Sequence, residues 1–331
     1  MPLLTAVALS ALVAAVVVWG GLALWFQLPG RIAYRILGVA LWLLLGVAAV
    51  AGLWCARAAP LLLLTLAFVA LLWWWRRLRP SNDETWADEG ARMTGGEIDG
   101  DRVTLHNVRN FDWRSRTDYV QRWETRHYDL RQLASVDLIT SYWEGPAIAH
   151  VLVSFGFSGG DHVVFSVEIR RRRNQPYSEI GGFFKGFNLS VIAADERDVI
   201  RVRTNIRGED DYLYRVRLAP GARRALFCAY VGQANRLLQQ PRFYNTLTVN
   251  CTTLVYRMMR HIVGHLPLDL RVVFSGYLPS YVYSVGGLDR RYTLAQLRAF
   301  GHITPRARAA DRSEGFSAAI RVGIPPLEES G

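Results

Sequence analysis

Asn250-Cys251-Thr252-Thr253, followed at once by the helical run from Leu254 to His265, places a thiol where a helix begins. A helix start offers unpaired backbone N–H groups and the positive end of the helix dipole, which favour a thiolate and can hold an oxyanion beside it. That is how a nucleophilic cysteine is made. The competing reading is a small buried hydrophobe, the commoner fate of an unpaired cysteine. A nucleophile also needs a base, and the chain has seven histidines. His261 and His265 follow Cys251 on its own helix and lie about 15–21 Å along it, out of reach. His106, His127, His162 and His302 have no geometric argument in their favour. His150 opens a strand-like segment after Pro146, at a strand end where a side chain can point into a cleft.

A third group follows from the hairpin. Residues 149–157 and 162–170 read as two strands around Ser158-Gly159-Gly160-Asp161. An odd-length or bulged loop sets Glu168 opposite His150 on one face, where a carboxylate would orient the imidazole and stabilise its protonated form. A two-residue loop pairs Val151 with Glu168 instead and spoils that geometry. The alternative for Glu168 is a charge on a solvated strand face, paired with Arg170 or Arg172.

Other patterns carry less. Gly156-Phe157-Ser158-Gly159-Gly160 matches G-x-S-x-G, but that elbow needs a helix after the serine and here a strand follows. His261 and His265 have the spacing of a metal pair without the glutamate of H-E-x-x-H, and the glycines of residues 180–188 lack the Lys-Ser/Thr ending of a P-loop. No metal or other cofactor is expected. Cys228 reads as core on an apolar helical face, and a bond between it and Cys251 in an oxidising compartment would end the catalytic reading.

The elements that must position these groups begin after a membrane region. Residues 3–26, 37–56 and 58–75 are almost wholly apolar. A hydrocarbon core of ~30 Å takes about 20 such residues per helix, so three spans are expected, without a cleaved signal peptide. The first eighty residues hold six arginines and no acid, which leaves +5 of the +11 net charge on the other 251 residues. Lys185 is the only lysine, so the positive charge is nearly all guanidinium, suited to phosphate or carboxylate. No helix carries a concentrated basic stripe, which argues against nucleic acid and for anionic lipid headgroups as the partner. Arg31, Arg35, Arg57, Arg76, Arg77 and Arg79 would put the large domain in the cytoplasm by the positive-inside rule.

Residues 80–97 read as a polar linker and residues 98–303 as one α+β domain with an antiparallel sheet and helices. Strands are expected at 101–111, 119–130, 189–193, 198–204 and 212–218, and helices at 221–240 and after Cys251. The Arg-, Ala- and Pro-rich residues 304–331 read as a loosely ordered tail.

The blocks RPSNDETW (79–86), DGDRVTLHNVRNFDWRS (99–115), SYWEGPAIAHVLVSFGF (141–157), ADERDVIRVRTNIRGEDDYLYRV (194–216) and FYNTLTVNCTT (243–253) resemble the Lnb N-terminal periplasmic domain family. That family is named for a bacterial lipoprotein N-acyltransferase, and the resemblance covers residues 80–300. It implies a circularly permuted papain-like fold, with Cys251 as nucleophile and His150 as base in that chain order. It also implies a bacterial inner-membrane, multi-pass protein whose domain faces the periplasm, against the arginine distribution; the family's side is the one expected here. The expected activity is acyl transfer or hydrolysis on a phospholipid or lipoprotein through a Cys251 thioester. Backbone N–H groups at the helix start, with Asn250, Thr252, Tyr244 and Asn245, are the expected oxyanion and substrate-positioning groups. Trp143, Phe183 and Phe184 are candidates to receive an acyl chain, though core packing explains them equally. A cell-wall peptidase or amidase, or a non-catalytic membrane-anchored binding domain, are the rivals.

Overall fold

Apolar side chains all round a segment leave its backbone no partner but itself in hydrocarbon, and the helix is the local solution. α1 (Leu3–Gln27), α2 (Ile32–Trp54) and α3 (Ala58–Arg77) are, among the described residues 2–327 of this computed structural model, the three helices long and apolar enough to cross a membrane. Small residues let them approach closely. A Cβ on Gly20 would stand 2.4 Å from the Trp42 ring, whose Nε1 donates to Val17 O at 2.9 Å. The chain divides into two units, and these helices form the first together with residues 177–188 and 242–245. Within it, α4 (Glu179–Phe183) leads to Phe184, which packs on Trp19, Phe26 and Trp75, while Lys185 Nζ donates to Trp75 O at 2.7 Å. Phe184 is thus a packing residue.

The second unit is α+β, as the sequence implies. Its strands are β1 (Gly95–Asp99), β2 (Arg102–Arg109), β3 (Asp112–Trp113), β4 (Tyr119–Val120), β5 (Trp123–Asp129), β6 (Leu133–Tyr142), β7 (His150–Phe157), β8 (His162–Arg170), β9 (Asn188–Ala194) and β10 (Asp210–Arg215). The eight-stranded sheet runs β1-β2-β9-β8-β7-β6-β10, with β5 also on β2, and β3 and β4 make a separate ribbon. β6, β7, β8 and β10 pair antiparallel.

Both faces of the sheet are covered. α5 (Glu196–Arg201) lies on one and runs directly into a π-helical turn, Val202–Arg207, which Gly208 ends at φ +76°. On the other, α6 (Pro220–Gln239) presents Phe227 to Phe155, Phe157 and Phe165. Alternation along β7 makes this possible, because Leu152, two residues from His150, faces Val199 and Ile200 while Phe155 and Phe157 face α6. After α6 come α7 (Thr253–Val263), α8 (Leu278–Ser284), α9 (Leu294–Gly301), α10 (Thr304–Ala310) and α11 (Phe316–Ala319).

Three expectations are corrected. Residues 198–204 are helical, since Asp195 accepts from Arg197 N and Glu196 and Asp198 complement the dipole in the first turn. Their Val and Ile side chains are buried against the sheet, which gives a strand-like composition. Through residue 327 the C-terminal segment is part of the core rather than a loose tail: Ala307, Phe316 and Ile320 are fully buried, and residues 328–331 lie outside the described residues. Arg321 also inserts between the buried carboxylates of Asp137 and Glu196, at 2.9 and 2.6 Å. Cys228 is half-buried on α6 instead of core, and Cys55, Cys228 and Cys251 are all free thiols.

Candidate active site

His150 is held from two directions. The turn Ser275–Tyr277 braces the chain just before β7: Ala149 N donates to Ser275 Oγ at 2.9 Å, Gly276 N to Ala147 O at 3.0 Å, and Tyr142 OH to Gly276 O at 2.6 Å. Any Cβ at Gly276 would fall 2.1 Å from Pro146 O, so only glycine permits this approach. From the other side, Phe157 N donates to Asp161 O and Gly160 N to Phe157 O, both at 2.9 Å, closing a three-residue loop with Gly160 at φ +90°. The loop is odd-length. The register Leu152↔Ser166, carried two residues further, sets Glu168 across from His150.

His150 Nε2 lies 3.0 Å from Glu168 Oε1 and 2.7 Å from Ser166 Oγ, and Ser166 Oγ donates to Glu168 Oε1 at 2.8 Å. With Nε2 so engaged, Nδ1 is the ring nitrogen left free, and the Cys251 side chain lies close enough to act on the imidazole. Burial and the Arg203 charge push the imidazole down, but the Glu168 charge, the Cys251 side chain and the Glu168 hydrogen bond outweigh them and raise its pKa to about 9. Burial would raise Glu168, yet the charge and hydrogen bond of His150, with Arg203 and Ser166 behind them, hold it well below the usual carboxylate range. The pair is imidazolium and carboxylate at neutral pH.

Behind Glu168 stands a buried polar network that the sequence did not single out. Arg203, from the π-helical turn, donates to Glu168 at 3.2 Å and to Glu209 at 2.9 Å. Ser141 Oγ donates to Glu209 at 2.6 Å and also meets Asp211. Burial raises Asp211 to about 7, only partly offset by Ser141 and Arg203. A π-helical turn ending in a left-handed glycine is the local signal that could have drawn attention to Arg203.

Cys251 is buried at the start of α7. The carboxamide oxygen of Asn250 accepts from Thr252 N at 3.0 Å, Thr253 N at 2.8 Å and Thr252 Oγ1 at 2.9 Å, while its Nδ2 donates to Thr246 O at 2.6 Å. Asn250 and Thr252 therefore satisfy each other and the helix start. Their polar groups, expected to face an oxyanion, are engaged in the cap, and the Cys251 N–H is a helix-start donor without a partner among the described residues. Tyr244 and Asn245 fall in the segment that belongs with the membrane helices, where Tyr244 N donates to Phe187 O at 3.0 Å. The structure thus brings Cys251, His150 and Glu168 together.

Beyond the network lies a cavity of ≈ 470 Å³ lined by Glu89, Trp113, Arg116, Tyr119, Trp143, Arg171, Val202, Arg207 and Glu209. Trp143, one of the expected acyl-chain contacts, is here beside three arginines.

Residues 119–276 match the family model described as the Lnb N-terminal periplasmic domain, the family the sequence blocks resemble. The matched span contains Cys251, His150, Glu168 and Arg203. No curated protein and no solved structure matches the chain.

Proposed function

We propose, with an Lnb N-terminal periplasmic domain over residues 119–276 as the premise, that this chain is a membrane-anchored cysteine acyl enzyme of papain-like type. The observation that carries the reading is the thiol of Cys251, at a helix start, beside a histidine that Glu168 orients at 3.0 Å.

In this mechanism His150 already holds the proton of the Cys251 thiol as imidazolium when substrate arrives, and the sulfur attacks the carbonyl carbon of an acyl ester on a phospholipid or lipoprotein. The Cys251 N–H stabilises the tetrahedral oxyanion. When the C–O bond breaks, the imidazolium gives its proton to the departing alkoxide, leaving an alcohol and a thioester on Cys251. An amine then attacks the thioester, His150 accepts the amine proton, the C–S bond breaks, and the sulfur is left beside the imidazolium that holds that proton, as at the start. Water in place of the amine makes the reaction a hydrolysis. Glu168 orients the imidazole and stabilises its charged form. Tethering to membrane spans converts a bulk search for lipid into a local one.

The domain faces the periplasm of the bacterial inner membrane in this reading. The arginine-lined cavity is the observation favouring a second one, a thiol amidase or peptidase on acidic cell-wall peptides. Both enzyme readings require a reactive thiol, and a structural cysteine does not have one. At neutral pH Cys251 alkylates with a small reagent faster than free cysteine, and His150→Ala removes the advantage. A Cys251 that labels no faster than free cysteine would overturn the enzyme reading.

A further inference from the structure

The cavity beyond Glu209 is built around guanidinium groups that differ in how well they are satisfied. Arg171 is neutralised by Glu89 and also donates to Gln175 O at 3.1 Å. Arg203, on the hidden side of Glu209, is locked between Glu168 and Glu209. Arg207 is different. Its nearest carboxylate oxygen, on Glu209, is 3.7 Å away, beyond hydrogen-bond range, and Glu209 is already bonded by Arg203 and Ser141. Its side chain is recessed in the wall yet 38% exposed, with no hydrogen-bond partner for the guanidinium among the described residues. Burial and the charge of Arg203 push Arg207 below its usual pKa, and the carboxylates of Glu209 and Glu168 offset this only in part. At the rim, the exposed Arg116 is tied to the same turn, its Nη2 donating to Arg207 O at 2.9 Å.

Apart from Val202, the rest of the lining is aromatic. Trp113 and Tyr119 pack with ring centroids 4.3 Å apart, and Trp143 stands 44% exposed at the mouth. The cavity size is in the range of small-molecule sites. Its wall is also wired to the chemistry: Glu209 to Arg203 at 2.9 Å, Arg203 to Glu168 at 3.2 Å, and Glu168 to His150 at 3.0 Å.

We propose that this cavity is a subsite for a phosphodiester, the head group of a glycerophospholipid acyl donor, with its phosphate held by Arg207 and Arg116. Two guanidinium groups approaching from wall and rim suit a tetrahedral anion, whose oxygens do not share a plane, better than a carboxylate that one planar fork satisfies. The aromatic rings beside them offer faces to a head-group ammonium. In a glycerophospholipid the ester carbonyl is only a few bonds from the phosphorus, so the donor's ester would stay close to a phosphate anchored here. The proposal rests on the acyl-transfer reading and names its donor.

The test is binding alone, on the purified full chain in maltoside micelles, followed by the saturable broadening of the ³¹P line of sn-glycero-3-phosphoethanolamine. Wild type and Cys251→Ala are expected to broaden it equally. Arg207→Gln and Arg116→Gln are each expected to weaken binding about tenfold or more, the loss of a hydrogen bond between charged groups. The exposed position of Arg116 keeps the test decisive if Arg207→Gln does not fold. Inorganic phosphate is expected to bind at least tenfold more weakly than the phosphodiester. No broadening by wild type, or broadening unchanged by either substitution, would overturn the subsite. Equal binding of inorganic phosphate would make it a free-phosphate site, and displacement of the phosphodiester by an equal concentration of succinate would make it a carboxylate site; each overturns the proposal. None of these readouts depends on thioester formation, so the subsite and the acyl chemistry fail separately.

Discussion

His150 Nε2 lies 3.0 Å from Glu168 Oε1 because the hairpin joining their strands turns through three residues rather than two. One residue fewer shifts the register and faces Glu168 with Val151. Orientation of the proposed base is therefore written into the loop Ser158–Gly160, some distance along the hairpin from the site.

Glu168→Gln removes the charge that keeps His150 protonated. The folded pKa of His150 is about 9 against an ordinary 6.5, so its charged form contributes stability that is fully present below 6.5 and lost as pH rises through about 9. Acyl transfer, which needs the imidazolium as proton donor, is expected to decline over the same upper range in wild type. In Glu168→Gln that decline moves to lower pH, and the rate at pH 8 falls by about tenfold or more. The kcat–pH profile of the two proteins checks this, and an unmoved upper limb would remove Glu168 from the mechanism.

Gly160→Ala tests the loop itself. The backbone φ is +90° with open space around the missing side chain, so the penalty is conformational and not a clash. A loss of about 1–2 kcal/mol is expected in chemical unfolding of the soluble unit. An unchanged midpoint would mean that another loop conformation serves equally well.

Arg321→Met leaves Asp137 and Glu196, both fully buried, without their shared cation. Removing one partner of such a cluster costs about 3–5 kcal/mol. Thermal unfolding should show a large drop in midpoint, and truncation before Thr304 should prevent folding of the sheet unit. A truncated chain as stable as wild type would return the C-terminal segment to the status of a tail.

Asn250→Ser retains a side-chain oxygen for the start of α7, whereas Asn250→Ala leaves the N–H groups of Thr252 and Thr253 unpaired. The alanine variant is expected to lose about 1–2 kcal/mol of stability and most activity, and the serine variant to recover the larger part of both. If serine restores stability without activity, the Asn250 amide has a chemical role beyond the cap.

The three apolar spans and the hairpin were legible in the sequence because each rests on local pattern, run length and alternation; Cys251 and Glu168 were candidates from a helix start and a strand register, and the family resemblance set Cys251 and His150 ahead as a pair. The network behind them was not. Arg203 and Glu209 are six residues apart, but the interval includes a π-helical turn whose geometry no period announces. Ser275 and Gly276 reach the start of β7 from 126 residues or more along the chain, and Arg321 reaches Asp137 from 184. Asp195, Glu196 and Asp198 did carry a helix-start signal, which the β-branched Val199, Ile200 and Val202 after them obscured. Tertiary burial set that segment's composition, and composition misled.

The measurement that bears most directly on the account is the intact mass of the purified protein after incubation with bacterial lipid extract, wild type beside Cys251→Ala. The account predicts an added mass equal to a fatty acyl group in wild type alone, removed by hydroxylamine and strongly reduced in His150→Ala. A reactive thiol that never acquires such an adduct, or an adduct that persists in Cys251→Ala, would contradict thioester chemistry at Cys251.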